Sequence, residues 1–225
     1  MKKLYYLLMV SIFAVASCQE PQYIEPTADR QGITSLTARF TSTSEKYENQ
    51  VLAKLNVADP EANEFIIPVP WFYPEESTDP TSIHMTRVRL EAELAPNCRI
   101  DPPLAMVDLT EENYYTFTNA QGESREIMIT GRRTKSAKCN LMTFTLTKPY
   151  QIEGFIDDDK KEVYLFTTDD LNGFSGEATV CAHATLQTDL TVKKNYNNEQ
   201  EVTVMAQDEK TTCTYKIIKK YPNKI

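Results

Sequence analysis

Val88, Leu90, Ala92 and Leu94 alternate with Arg87, Arg89, Glu91 and Glu93. An extended chain there turns its apolar groups to one side and its charges to the other, the period of two that marks a strand with one buried face. Ile33 to Phe40, Val51 to Val57, Glu64 to Val69, Tyr114 to Asn119 and Ser124 to Thr130 are further strand candidates. They are rich in β-branched and aromatic residues and set apart by Asp, Asn, Pro or Gly. Ala58-Asp59-Pro60 and Gln121-Gly122 supply the turns. Comparable apolar spacing at the helical period is missing, so the pattern predicts an all-β protein.

The order of segments then recurs. Ile33 to Phe40 answers to Cys139 to Leu146, Val51 to Val69 answers to Ile152 to Thr168, and Thr86 to Leu94 answers to Glu177 to Leu186. Tyr115-x-Phe117 matches Val202-x-Val204, and Ile127-x-Ile129 matches Cys213-x-Tyr215. Identity is low, so a duplication rests on pattern and order, and chance likeness of two all-β halves is the alternative. The polar stretch Gly131 to Lys138, whose one apolar residue is Ala137, falls between the copies. The boundary is placed there, with one domain at 33–131 and a second at 139–220. With about seven short strands each, both fit a β-sandwich.

Ahead of the repeats, Lys2 and Lys3 precede an apolar run from Leu4 to Ala16 broken only by Ser11. A membrane-spanning helix needs about 20 apolar residues, so residues 1–17 read as a secretory signal. Val15-Ala16-Ser17-Cys18 resembles the lipobox of bacterial lipoproteins, an aliphatic residue and two small ones before a cysteine. In that family the cysteine thiol accepts diacylglycerol and becomes the first mature residue. The resemblance implies that Cys18 is acylated and that a lipid bilayer is a partner. Each buried methylene adds about 0.8 kcal/mol, so two or more acyl chains hold the protein firmly. An ordinary cleaved signal followed by a chance cysteine is the competing reading. Residues 18–32 hold Pro21 and Pro26 without apolar periodicity and read as a tether.

Lipobox, tether and tandem repeats that open with an Ile-x-x-Leu or Leu-x-x-Phe strand and close with a Tyr-x-Phe hairpin resemble a wider group. These are the surface lipoproteins of Bacteroidetes-type bacteria with tandem immunoglobulin-like β-sandwich repeats of unknown function. The second copy departs from the motif in having Asp208-Glu209 where a glycine turn is expected. The resemblance implies an outer-membrane, lipid-anchored protein exposed at the cell surface and glycan-related work. It carries no catalytic residues.

Charge narrows the function further. Loss of Lys2 and Lys3 with the signal moves the net charge from −8 to −10. A body this acidic, without a basic patch interleaved with aromatics, is not expected to bind nucleic acid. Once Cys18 is set aside, Cys98, Cys139, Cys181 and Cys213 remain, an even number that allows three pairings in an oxidising compartment. A bridge from Cys139, opening the second repeat, to Cys213, in its last strand, is compatible with that order. Reduced, buried cysteines are the alternative. The cysteine spacings do not suit zinc, and no cofactor is expected.

His84 and His183 are the two histidines. His183 falls on the outer face of a continued alternation through Cys181 and Thr185, and neither histidine follows a nucleophile motif, so no enzyme activity is expected. Asp157-Asp158-Asp159 reads as a solvated hairpin without the spacing of a calcium loop, and Asp169, Asp170 and Asn172 form the next acidic cluster. Carboxylate pairs also raise a hydrolase reading, which needs two of them converging in one cleft.

Pro70-Trp71-Phe72-Tyr73-Pro74 stands apart. Three consecutive aromatics in an extended segment cannot all face one core. Either Trp71 plugs the end of the sandwich, or Trp71 and Tyr73 offer a face to a sugar ring with Glu75 accepting hydroxyl hydrogen bonds. The expectation is a non-catalytic binding module, for glycans or for another surface protein. A structural, fimbria-like adhesion subunit completed at a sheet edge by another chain is the alternative.

Overall fold

A computed structural model describes residues 32–42 and 45–222. The signal, Cys18 and nearly all of the tether lie outside the described residues. The chain is all-β and of sandwich type, with two hydrophobic cores, one from each half. Among the described residues no helix is long and apolar enough to cross a membrane.

The first half contains β1 (Ile33–Phe40), β2 (Val51–Asn56), β3 (Glu64–Pro70), β4 (Val88–Leu94), β5 (Arg99–Asp101), β6 (Met106–Val107), β7 (Asn113–Thr118) and β8 (Ser124–Thr134). One sheet has the order β2-β1-β4-β6, the other β3-β8-β7-β5. Leu36, Ala38 and Phe40 of β1 and Val88 and Leu90 of β4 meet Phe65, Ile67, Phe117, Ile127 and Ile129 of the other sheet in one core. Burying such side chains contributes about 1.5–3 kcal/mol each, which is why alternation fixes the register. A four-residue helix, α1 (Ser82–Met85), turns Met85 into that core.

The second half follows with β9 (Leu141–Lys148), β10 (Ile152–Glu153), β11 (Phe155–Asp157), β12 (Glu162–Phe166), β13 (Asn172–Val180), β14 (Thr185–Leu186), β15 (Lys194–Asn195), β16 (Gln200–Met205) and β17 (Thr212–Lys220). Its sheets run β10-β9-β13-β15 and β11-β12-β17-β16-β14. With β11 removed, the order is that of the first half. The parallel pair is kept as well: β3 lies parallel to β8, and β12 parallel to β17. Gly154 sits where the chain leaves one sheet for the other, and a Cβ there would come within 2.6 Å of Val163 Cγ1.

Detailed registers align the halves differently from the sequence pattern. Thr34 is passed over in the pairing of β1 with β4, and Met142 in that of β9 with β13. Each bulge switches the inward face, so that Ile33 and Leu36, or Leu141 and Phe144, are buried despite opposite parity. Ile33 therefore corresponds to Leu141, not to Cys139. At the other end Tyr115 faces Ile127 and Val202 faces Tyr215, so Ile127 corresponds to Tyr215 rather than Cys213. Both matches move by two residues, because a shift of two keeps the face and leaves the hydrophobic pattern unchanged.

Two segments depart from expectation. β8 runs on to Thr134, three residues past Gly131, and its far end pairs with Pro70 of β3. The stretch Glu177 to Leu186 is not one strand: β13 stops at Val180, and β14 joins the other sheet. Between them His183 adopts a positive φ of 63° and breaks the alternation.

Candidate functional site

The loop after β3 is closed on itself. The Tyr73 N–H donates to Asp79 O (3.0 Å), that of Ser77 to Pro74 O (2.9 Å) and that of Thr81 to Trp71 O (3.2 Å). Thr81, fully buried, also donates its hydroxyl to Pro70 O (2.5 Å). Satisfying these backbone groups internally lets the loop leave the sheet as a defined finger.

Its aromatics then go to separate destinations. Tyr73 turns back to the first half, 4.7 Å from the Phe40 ring and 5.1 Å from Tyr47, with its hydroxyl on Gln50 Oε1 (3.0 Å). Phe72 crosses to the second half and stacks on His183, centroids 4.3 Å apart and planes at 22°. His183 is thus not on an open face, and its Nε2 lies 2.8 Å from Ser77 O. Trp71 is half-buried beneath the Arg133 guanidinium, 3.8 Å from the ring centroid, and Arg133 Nη2 donates to Trp71 O (2.9 Å). Burial under these neighbours lowers the Arg133 pKa from its ordinary value.

Glu75 completes the finger. Its Oε1 accepts from the Ser136 hydroxyl and its Oε2 from the Lys138 ammonium, each at 2.6 Å. The Lys138 hydrogen bond, followed by that from Ser136, holds the Glu75 carboxyl below its ordinary pKa of 4.5. Across the junction the Ser136 N–H donates to Gln207 Oε1 (2.9 Å), the Asp208 N–H donates to Ser136 O (3.1 Å), and Lys135 pairs with Glu209 (2.6 Å).

A pocket of about 200 Å³ opens at this joint. Trp71, Phe72 and Glu75 of the finger, Lys135 and Ser136 of the connection and Gln207 of the second half line it. Of the residues singled out as a ligand face, Trp71 and Glu75 are brought together and Tyr73 is not. Lys135, Ser136 and Gln207 were invisible to sequence reasoning, which read the connection as a polar spacer.

Other candidates are placed as well. Cys139 and Cys213 are joined in a disulfide, their Cα atoms 5.5 Å apart, while Cys98 and Cys181 are free. In the acidic hairpin Asp157 pairs with Lys160 (2.7 Å) and Asp158 with Lys161 (2.8 Å). Beside Asp169 and Asp170 the cation is Lys219, donating to Asp169 O (2.5 Å) and Asn197 Oδ1 (3.0 Å). Among the described residues no group of three His, Cys, Asp or Glu side chains is placed to hold a metal ion.

One surface feature was missed in the sequence. Phe155, Tyr164 and Phe166 form a row on the outer side of β11 and β12, with Phe155 61% and Phe166 54% exposed. The parallel registers put Ile66 and Pro68 at the positions equivalent to Tyr164 and Phe166. Alternation with buried Val163 and Leu165 was the available signal.

The chain is similar to known proteins in two stretches. Residues 13–131 match a domain of unknown function, DUF5018, and residues 141–219 match a second, DUF8499. None of the curated proteins matches. Two crystal structures from Bacteroides species are weakly similar. One, from Bacteroides thetaiotaomicron, is provisionally described as a glycoside hydrolase. It shares 16% identity at a TM-score of 0.29, over 64% of this chain and 36% of its own length. The other, from Bacteroides fragilis, is provisionally described as secreted, and shares 18% identity at a TM-score of 0.32 over 49% of this chain and 100% of its own. The first family model spans more than half of the 225 residues, and the chain belongs to the DUF5018 family.

Proposed function

We propose that this protein is a lipid-anchored surface protein of the outer membrane, built of tandem immunoglobulin-like repeats, that binds a saccharide without turning it over. The observation that carries the reading is the pocket at the joint, where an aromatic wall meets a carboxylate, an ammonium, a hydroxyl and an amide. Small-molecule sites combine apolar walls with a few converging polar groups in this way. A pyranose matches it with a C–H face for Trp71 and hydroxyls for the polar rim.

Glu75 is the single carboxylate among the lining residues. Glycoside hydrolysis by the usual route needs two, one of them protonated as the acid. Glu75 is held ionised by Lys138, which suits a hydrogen-bond acceptor and not a general acid. The Cys139–Cys213 disulfide supports export to an oxidising compartment, in keeping with the signal and lipobox.

Binding of the purified protein to an array of bacterial, plant and host glycans tests the reading. The expected result is retention of a defined subset that Trp71→Ala loses while the far-ultraviolet circular dichroism stays unchanged. Retention of no glycan, or full retention by the variant, overturns it.

A further inference from the structure

The polar groups of the pocket are already held in place by hydrogen-bonding and ionic partners. Glu75 is fixed by Ser136 and Lys138, Lys135 by Glu209, and Gln207 by the Ser136 N–H on its Oε1. Because Gln207 Oε1 must face that N–H, the amide orientation is settled, and Nε2 keeps two donors without a partner among the described residues. Lys135 likewise spends one of its donors on Glu209. A ligand meets an arranged set comprising an ionised acceptor from the first half, an ammonium from the connection and an amide donor from the second half. Groups locked by existing contacts lose little freedom on binding, which is the condition for selective recognition.

Size sets what enters. Drug-sized ligands occupy pockets of about 300–1,000 Å³. At about 200 Å³ this one holds a single ring. The finger, the β8 end, the connection and Gln207 line it, and a longer saccharide would extend from the bound ring into solvent. Resting on the saccharide reading above, we infer that the pocket recognises one terminal sugar ring end-on, and that residues of both halves are needed to read it.

Calorimetric titration of the full-length protein with methyl glycosides of glucose, galactose, mannose and N-acetylglucosamine, and with their di- to hexasaccharides, tests this. The sugar that binds is expected to show the same affinity as a methyl glycoside and as the end of a longer chain, within about threefold. Gln207→Glu keeps the acceptor for Ser136 and removes the amide donors. It is expected to weaken binding about tenfold, the size of one lost hydrogen bond to a ligand. Trp71→Phe retains an aromatic wall and is expected to keep most of the affinity that Trp71→Ala loses. Affinity that climbs more than about tenfold with chain length, or that Gln207→Glu leaves untouched, overturns end-on recognition and leaves the binding-module reading standing. Absence of binding to every sugar overturns both.

Discussion

β8 carries Arg125 at the position where β17 carries Cys213, two residues before the first buried residue of each closing strand. In the first half the Arg125 guanidinium donates to Pro60 O (2.6 Å) and Ala62 O (3.4 Å) and lies 4.6 Å from the Phe117 ring centroid. It ties the turn before β3 to the closing strand. In the second half Cys213 is bonded covalently to Cys139, ahead of β9. Two frameworks with one strand order thus secure the closing strand by an ionic hydrogen-bonded clamp in one case and a covalent one in the other. The clamp depends on the folded geometry at every bond, whereas the disulfide restricts the unfolded chain as well.

The interiors diverge too. Tyr215, at the position of Ile127, is fully buried and its hydroxyl is satisfied from three directions. It accepts from the Leu141 N–H (3.1 Å) and Lys161 Nζ (3.2 Å) and donates to Asp158. Burial first, and Asp158 second, raise the pKa of its phenol. Tyr196 is almost as buried, yet its hydroxyl has no hydrogen-bond partner among the described residues. One core holds both a paid-up polar group and an orphaned one.

The largest effect is expected from Cys139→Ser combined with Cys213→Ser, which opens a link across 74 residues. Losing it should lower the stability of the second half by about 2–4 kcal/mol. Urea unfolding followed by hydrogen exchange at the core amides of β1 and β4 in the first half and of β16 and β17 in the second should show the second transition moving alone. Movement of both together breaks the comparison. Arg125→Ala is next, at about 1.5–3 kcal/mol for a hydrogen-bonded charge. It should shift only the first transition, and a shift in the second would mean the clamp is not confined to its own half.

A matched pair of tyrosine variants sharpens the contrast inside the second core. Tyr215→Phe leaves the buried Leu141 N–H without its acceptor and should cost about 1–3 kcal/mol. Tyr196→Phe removes an oxygen without a hydrogen-bond partner among the described residues and should be neutral or slightly stabilising in the same urea titration. Equal losses at the two sites would show that burial alone, not pairing, decides.

The smallest effect concerns the joint. Glu75 has a lowered folded pKa, so its pairing with Lys138 and Ser136 contributes fully above its ordinary value of 4.5 and is lost as pH falls through the folded value. Protection from hydrogen exchange at residues 71–81 and 135–138, taken relative to the intrinsic rate at each pH, should fall on acidification, and Glu75→Gln should remove most of that dependence. An exchange rate that rises on approach to neutral pH beyond the intrinsic trend would contradict the sign.

Reading the strands from the sequence worked where one face is buried. Val88 to Leu94 can sit in a sheet in only one orientation, because turning it over exposes every apolar group. The same reasoning could not register one half on the other, since a two-residue slide preserves the face. It also failed at His183, where a single positive φ ends the alternation, and at Trp71-Phe72-Tyr73. There the sequence shows that three aromatics cannot share a core without showing which goes where. Tyr73 returned to Phe40, Phe72 crossed to His183, and Trp71 stayed at the seam.

By itself, then, the order of apolar and polar residues determined an all-β chain with a recurring strand pattern, because alternation is a local property that each segment carries alone. The pocket was decided only by tertiary structure. Glu75, Lys135 and Gln207 are separated by 60 and 72 positions and meet only once two β-halves, a finger and a connection have docked. No local spacing encodes such a meeting, since it depends on how whole faces pack rather than on any neighbour in the chain.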